Sequence, residues 1–221
     1  MLKHFIDWRM RIRKKQWVES FLQQDHPTFI KEPKKLKGKW KTHSKKPMLH
    51  VEIGAGKGDY WIFMAQKYPD RCWVAVEKET TVAAVAIRKS LQFKLDQAYM
   101  IIGDAIDAEH WFADQEIDVL HLNFSDPWPK KGHSKRRLSS KQFIDIYTKL
   151  LADDGKIIMK TDNGTLFEYS LVMFNKEGFR LEEVWVDFRK QDHPEDVISE
   201  YEQRFIDLDQ PIYRAIWRKH D

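Results

Sequence analysis

The sequence predicts an α/β fold around a mostly parallel sheet, and three observations carry that reading. From Met48 onward, short runs rich in Val and Ile alternate with longer amphipathic stretches, the pattern of successive strand and helix units. The first apolar run ends in a glycine-rich turn that opens into a segment of helical period. The chain has 221 residues, 42% of them hydrophobic and 33% charged, which suits one large domain with an arm and excludes both a disordered chain and a small disulfide scaffold.

In chain order, residues 1–47 come first and are basic, with 14 Lys and Arg against 4 Asp and Glu. Met10 to Leu22 has the spacing of a short helix, and Lys31 to Pro47, rich in Lys, Pro and Gly, reads as a loop or linker. We therefore expect a basic N-terminal arm and linker over 1–47 and the main domain over 48–221. Strands are predicted near 48–53, 72–77, 98–102, 117–124 and 155–161, and helices near 59–68, 80–95, 139–151 and 165–177. Leu181 to Asp187 and Ile212 to Trp217 alternate like two antiparallel edge strands, making seven in all. Trp61, Phe63 and Phe174 fall at helical spacings and belong to the core.

The longest apolar run, Val82 to Ile87, is far shorter than the roughly 20 residues that span a bilayer or the roughly 7–15 of a secretory signal. No membrane partner and a cytoplasmic location are expected. The single cysteine, Cys72, forms no intrachain disulfide or multi-thiolate site, and the histidines lack metal-ligand spacing, so no metal is expected.

The turn after the first strand reads Val51-Glu52-Ile53-Gly54-Ala55-Gly56-Lys57-Gly58-Asp59, and missing side chains at Gly54, Gly56 and Gly58 let backbone approach a ligand closely. Glu77 ends the next strand 19 positions after Gly58, where a carboxylate accepts from ribose hydroxyls. A dinucleotide binder would space its third glycine one residue later, and Glu52 would repel a pyrophosphate. The same acid suits a cofactor carrying an amino group and a sulfonium, as S-adenosylmethionine does. Asp104, in Gly103-Asp104-Ala105 after the third strand, places another acceptor at the same sheet edge, suited to an adenine amino group.

After the fourth strand comes Ser125-Asp126-Pro127-Trp128-Pro129-Lys130-Lys131-Gly132-His133-Ser134-Lys135-Arg136-Arg137-Leu138. From Pro127 to Ile144 there are six cations and no acid, in a part of the chain that is otherwise acidic. Two separated basic surfaces point to a large polyanion as partner. Trp128 stands between two prolines, where it either stacks on a base or packs locally.

This segment strongly resembles the signature of the bacterial tRNA (guanine-N7)-methyltransferase family. The resemblance extends to Glu52-Ile53-Gly54-x-Gly56-Lys57-Gly58, Lys160-Thr161-Asp162-Asn163, Ser199-Glu200-Tyr201-Glu202, Pro211-Ile212-Tyr213-Arg214, Met10-Arg11-Ile12-Arg13 and Lys37-Gly38-Lys39-Trp40, about residues 10–217. Gly132 stands where the family commonly has Arg, Ser199 where it has Thr, and residues 1–9 lie outside the pattern. The resemblance implies a Rossmann-like class I S-adenosylmethionine-dependent methyltransferase, with a mostly parallel seven-stranded sheet and helices on both faces. It also implies methylation of guanine N7 in the variable loop of tRNA. Glu52, Glu77, Asp104 and Asp126 would then line the cofactor pocket with the glycine turn. Lys130, Asp162 and the segment Ser199 to Glu202 would meet the substrate, and Gly132, His133, Ser134, Lys135, Arg136 and Arg137 the RNA.

Guanine N7 carries an exposed lone pair, so the chemistry needs alignment rather than a strong base. Asp126 is the expected catalytic residue, a positioner that balances charge moving onto the purine, with Asp162 in a similar role. An RNA-binding protein that has lost turnover, or a small-molecule methyltransferase, are the other readings. Monomer and homodimer stay open.

Overall fold

The structure, a computed structural model, describes residues 16–219. The sheet is built from β1 (Leu49–Ile53), β2 (Cys72–Glu77), β3 (Ala98–Ile102), β4 (Ile117–Asn123), β5 (Leu151–Thr161), β6 (Arg180–Trp185) and β7 (Tyr213–Arg218). Helices are α1 (Trp17–Gln23), α2 (Trp40–Ser44), α3 (Asp59–Lys67), α4 (Thr80–Ser90), α5 (Lys141–Leu150), α6 (Gly164–Lys176) and α7 (Glu200–Asp207). Every residue of β1 and β2 is buried, so Cys72 to Val76 of β2 reads as an apolar run, whereas β1 also encloses His50 and Glu52.

The strands lie in the order β3-β2-β1-β4-β5-β7-β6. The first five in that order are parallel, while β7 runs antiparallel to both β5 and β6. Of the two tail strands expected at the edge, only β6 is an edge strand, because β7 enters between it and β5. The strand order reverses between β1 and β4, which opens a crevice at their carboxyl ends where ligands bind in such sheets.

Alternation along the strands divides the core. Val51, Val74 and Leu120 pack with Phe143 and Tyr147 of α5 and Phe167 and Phe174 of α6, while Trp73, Ala75 and Met100 pack with Trp61 and Ile62 of α3 and Ala86 and Ile87 of α4. Helices therefore cover both faces. Among the described residues, no helix is long and apolar enough to cross a membrane.

The segment expected to be a loop or linker is packed. Trp40 of α2 is fully buried, and its indole N–H donates to the Trp111 carbonyl at 2.9 Å. Glu116 accepts from the amides of Gly38 and Trp40, so a carboxylate replaces the missing cap of α2. Ahead of it, Ile30 N–H donates to the Met100 carbonyl and Met100 N–H to that of Thr28, covering the β3 edge. The expected helix over Met10 to Leu22 begins at Trp17 among the described residues; Met10-Arg11-Ile12-Arg13, the 1–9 extension and residues 220–221 lie outside them. Helix α4 stops at Ser90, earlier than expected, and β5 begins at Leu151 rather than near 155.

Candidate active site

Four strand ends meet at a cleft of about 1070 Å³. The end of β1 supplies Ile53 and Gly54, β2 supplies Val76 to Glu79, β3 is followed by Gly103 and Asp104, and β4 by Phe124, Ser125, Asp126 and Trp128. Leu138, Gln142 and Phe143 close the side toward α5, and Arg136 reaches the rim. Glu77, Asp104, Asp126 and Gly54, expected at the cofactor, and Arg136, expected at the RNA, therefore line one cleft.

The glycine turn is made by backbone conformations that favour glycine, with φ +76° at Gly54, +58° at Gly56 and +79° at Gly58. A Cβ at Gly56 would meet nothing within 4 Å, leaving its backbone open to a ligand. Gly58 has a different task. A Cβ there would come within 2.9 Å of the Ala86 Cβ, so this glycine lets α3 start against α4.

Glu77 holds the turn while facing the cleft. Its Oε2 accepts from Gly56 N–H and its Oε1 from Glu79 N–H, both at 2.9 Å, and burial raises its pKa. Asp104 accepts from Ile106 N–H through Oδ1 and keeps Oδ2 for other partners. Glu52 does not line the cleft: it lies deeper, 2% exposed, with Oε1 accepting from Asn123 Nδ2 at 2.9 Å and Oε2 unpartnered. Burial pushes its carboxyl up to about 8.

Asp126 is exposed across the open mouth of the cleft, and the surrounding protein still desolvates it enough to raise its pKa, with Lys78 opposing and Glu79 adding to the shift. Asp162, just beyond β5, is partly buried and shifted upward by that burial. Tyr201 has its hydroxyl pushed up to about 12 by burial and then by the charges of Asp162 and Asp126. Its ring lies 5.2 Å from that of Phe124.

The remaining members of the predicted substrate segment are scaffolding in this geometry. Ser199 caps α7 by accepting from Glu202 N–H at 3.1 Å. Glu202 is fully enclosed, accepting from Lys160 Nζ at 2.7 Å and from Arg189 Nε at 2.6 Å. Asp196 accepts from the same two cations, and burial, which alone would raise its pKa, is outweighed by them so that it falls below the usual range. A second buried polar row runs under the cleft, where Tyr60 Oη lies 3.2 Å from His121 Nδ1 and His121 Nε2 lies 3.0 Å from His50 Nδ1. Burial holds His50 at about 2 and His121 at about 3, both neutral.

Along the predicted RNA segment, Lys130, Gly132, Lys135 and Arg136 are exposed, and His133 and Ser134 partly so. Arg136 places its guanidinium 4.9 Å from the centre of the Trp128 ring and His133 meets that ring edge-on, so Trp128 packs locally at the cleft wall. Arg137 is turned inward, 7% exposed, which leaves it no face for RNA. The sequence signals neither the cleft residue Glu79 nor the roles of Lys160 and Arg189, because no spacing marks cations that share Asp196 and Glu202 only through the fold.

A family model described as "Putative methyltransferase" matches residues 46–215. The chain is 40% identical over 207 residues to a tRNA (guanine-N(7)-)-methyltransferase of Oceanobacillus iheyensis, covering 93% of this chain and 97% of that one. It is 41% identical over 209 residues to the enzyme of the same name from Limosilactobacillus reuteri, covering 94% and 98%. Among solved structures, the fold matches the 16S rRNA methyltransferase KamB with a TM-score of 0.59 at 11% identity, covering 81% of this chain and 91% of that one. Geranyl diphosphate C-methyltransferase from Streptomyces coelicolor A3(2), in a complex that includes S-adenosyl-L-homocysteine, matches with a TM-score of 0.55 at 12% identity, covering 80% and 73%. With a seven-stranded methyltransferase-like sheet, a cleft at its switch point and relatives matched almost end to end, the chain belongs to the tRNA (guanine-N7)-methyltransferase family.

Proposed function

We propose that the protein transfers a methyl group from S-adenosylmethionine to N7 of a guanine in the variable loop of tRNA, yielding 7-methylguanosine, on a Rossmann-like class I methyltransferase fold in the cytoplasm. The observation that carries the cofactor assignment is the charge of the cleft: Glu77, Glu79, Asp104 and Asp126 face Lys78 and Arg136, an acidic excess that suits a sulfonium and an amino group and disfavours a pyrophosphate. The open backbone at Gly56 and the acceptor-only carboxylate of Glu77 fit the ribose end, and Asp104 fits the adenine amino group.

Bound there, the cofactor supplies a methyl group on positively charged sulfur, and N7 accepts it without prior deprotonation. The protein's part is alignment and charge. Asp126 and Asp162 accept from the N1 and N2 edge of the guanine, leaving N7 free, and balance the positive charge that develops on the ring. Lys130 meets O6 or phosphate, while His133, Lys135 and Arg136 hold the RNA backbone across the turn made by Gly132 and Ser134. Arg137, Ser199 and Glu202 act beneath this surface, and Glu52 and Gly58 beneath the glycine turn. Of the basic arm and linker, the stretch 28–44 docks on the methyltransferase domain.

The test is mass spectrometry of nucleosides from unmodified tRNA incubated with protein and cofactor. The reading requires 7-methylguanosine at the variable loop. Cofactor binding without transfer would favour an inactive RNA-binding protein, and transfer unaffected by removal of RNA would favour a small-molecule substrate.

A further inference from the structure

We propose that Arg189 is a positioning residue for methyl transfer: it fixes the pose of α7 and, through the Tyr201 and Phe205 rings on Phe124, the segment that carries Asp126. The proposal rests on the tRNA-methylating reading above. Its basis is the way α7 is docked. Among its eight residues, Glu200–Asp207, Glu202 alone is buried, so the enclosed anchor of the helix that delivers Tyr201 is a carboxylate, while its apolar residues Tyr201, Phe205 and Ile206 stay at least partly exposed.

Both oxygens of that carboxylate are committed, Oε2 to Lys160 and Oε1 to Arg189. The two anchors differ in rigidity. Lys160 is fully buried on β5, its Nζ 4.7 Å from the Tyr60 ring centre, and cannot leave without opening the sheet. Arg189 comes from the short turn at Phe188–Lys190 and also donates to Asp196 and to the Val197 carbonyl at 3.2 Å, so one guanidinium holds both α7 and the chain leading into it. With two cations against two carboxylates the cluster is neutral, which allows enclosure.

Without Arg189, a buried negative charge remains and Glu202 Oε1 loses its partner. The nearest relief is for α7 to move toward water, since its other ties are light. They are the Ser199 cap, the Glu200 N–H donated to Asp59 at 3.2 Å, and the stacking of Tyr201 and Phe205 on Phe124. Phe124 leads directly into Ser125-Asp126, and its N–H donates to the Lys160 carbonyl at 2.8 Å. A displaced α7 therefore frees Phe124 and the Ser125-Asp126 segment that follows it, while leaving the glycine turn, Glu77 and Asp104 in place.

Full-length Arg189→Met and Arg189→Lys would be compared with the wild type in cofactor affinity, hydrogen exchange of residues 199–207, and steady-state and single-turnover methylation of tRNA. For Arg189→Met we expect cofactor affinity within about twofold, exchange of α7 faster by at least about tenfold, and kcat lowered by at least about tenfold with a much smaller change in KM. Arg189→Lys should recover much of both the exchange protection and the rate. Faster exchange with a normal rate would overturn the proposal, because the pose of α7 would then not govern transfer. Unaltered exchange would overturn it too, because Arg189 would not hold the helix. If Arg189→Met does not fold, Arg189→Gln, which keeps a donor toward Glu202, is read by the same two measurements. A wild-type protein that leaves tRNA unmethylated would refute the functional reading, whereas the exchange of 199–207 tests the anchor by itself.

Discussion

Arg137 donates from Nε to the Pro127 carbonyl at 2.9 Å and from Nη2 to that of Trp128 at 3.2 Å, bracing the loop from within while Arg136 faces outward beside it. Adjacent arginines thus have separate tasks. Arg137→Ala should cost about 1–3 kcal/mol of stability, since two carbonyls lose their donor, and should leave the salt dependence of tRNA binding unchanged. Replacing Lys135 and Arg136 by Ala should leave the melting temperature near wild type and reduce the log–log salt slope by roughly 0.7–0.9 per lost phosphate contact. Anisotropy titrations at several salt concentrations, with thermal melts on the same preparations, check both; a reversed pattern would exchange the assignments.

Glu77 joins the glycine turn to the ligand face of the cleft. Glu77→Ala should weaken S-adenosylmethionine binding by about 1.5–3 kcal/mol, the range of hydrogen bonds to a charged group, and leave tRNA affinity intact. Calorimetry reads the first and anisotropy the second. Undiminished cofactor affinity would remove Glu77 from the pocket.

Asp126 stands at the mouth of the cleft, ahead of Pro127, where it serves either the turn or the reaction. If it positions guanine, Asp126→Ala should lower the single-turnover rate by about 10²-fold or more, equivalent to roughly 2.7–4 kcal/mol, at saturating RNA and cofactor. A turn residue would instead lower the melting temperature and spare that rate.

The buried His50, His121 and Glu52 are expected to give stability opposing responses to pH. For His50 and His121, burial lowers the folded-state pKa from 6.5 to about 2 and about 3, so their contribution is present above pH 6.5 and is lost as pH falls toward those values. Glu52 has the opposite sign. Its folded-state pKa is raised from 4.5 to about 8, so its contribution is complete below pH 4.5 and is lost as pH rises through 8. Urea unfolding from pH 3 to 9 should show His121→Asn flattening the acid limb and Glu52→Gln flattening the alkaline one. An acid limb unchanged by His121→Asn would mean that this ring is not the group resisting protonation.

The core strands were legible because continuous burial leaves continuous apolar runs, and β2 and β3 lie where those runs predict. Helix α7 was not, since it is only eight residues long and mostly charged, and its one buried residue is Glu202 while Tyr201 stays exposed and Phe205 and Ile206 only partly covered. Trp40 was hidden for a related reason: it is one core side chain inside a Lys- and Gly-rich segment whose caps come from Glu116, far along the chain. In the site, acids at successive strand ends were readable because the strand–helix repeat places every such end at one edge. The inward turn of Arg137 and the shared anchoring of Glu202 were not, because an ion pair between residues 42 apart in sequence leaves no periodic trace.

The dependence of α2 on Glu116 also orders events during synthesis. The ribosome delivers Gly38 and Trp40 well before the carboxylate that satisfies their amides and the Trp111 carbonyl that receives the Trp40 indole. Until residue 116 has been made, the Trp40 ring can pack only on Tyr99 and Phe112, and the amides of Gly38 and Trp40 lack their acceptor. The docking of α2 is therefore completed late, once the chain up to Glu116, the residue just before β4, has been made.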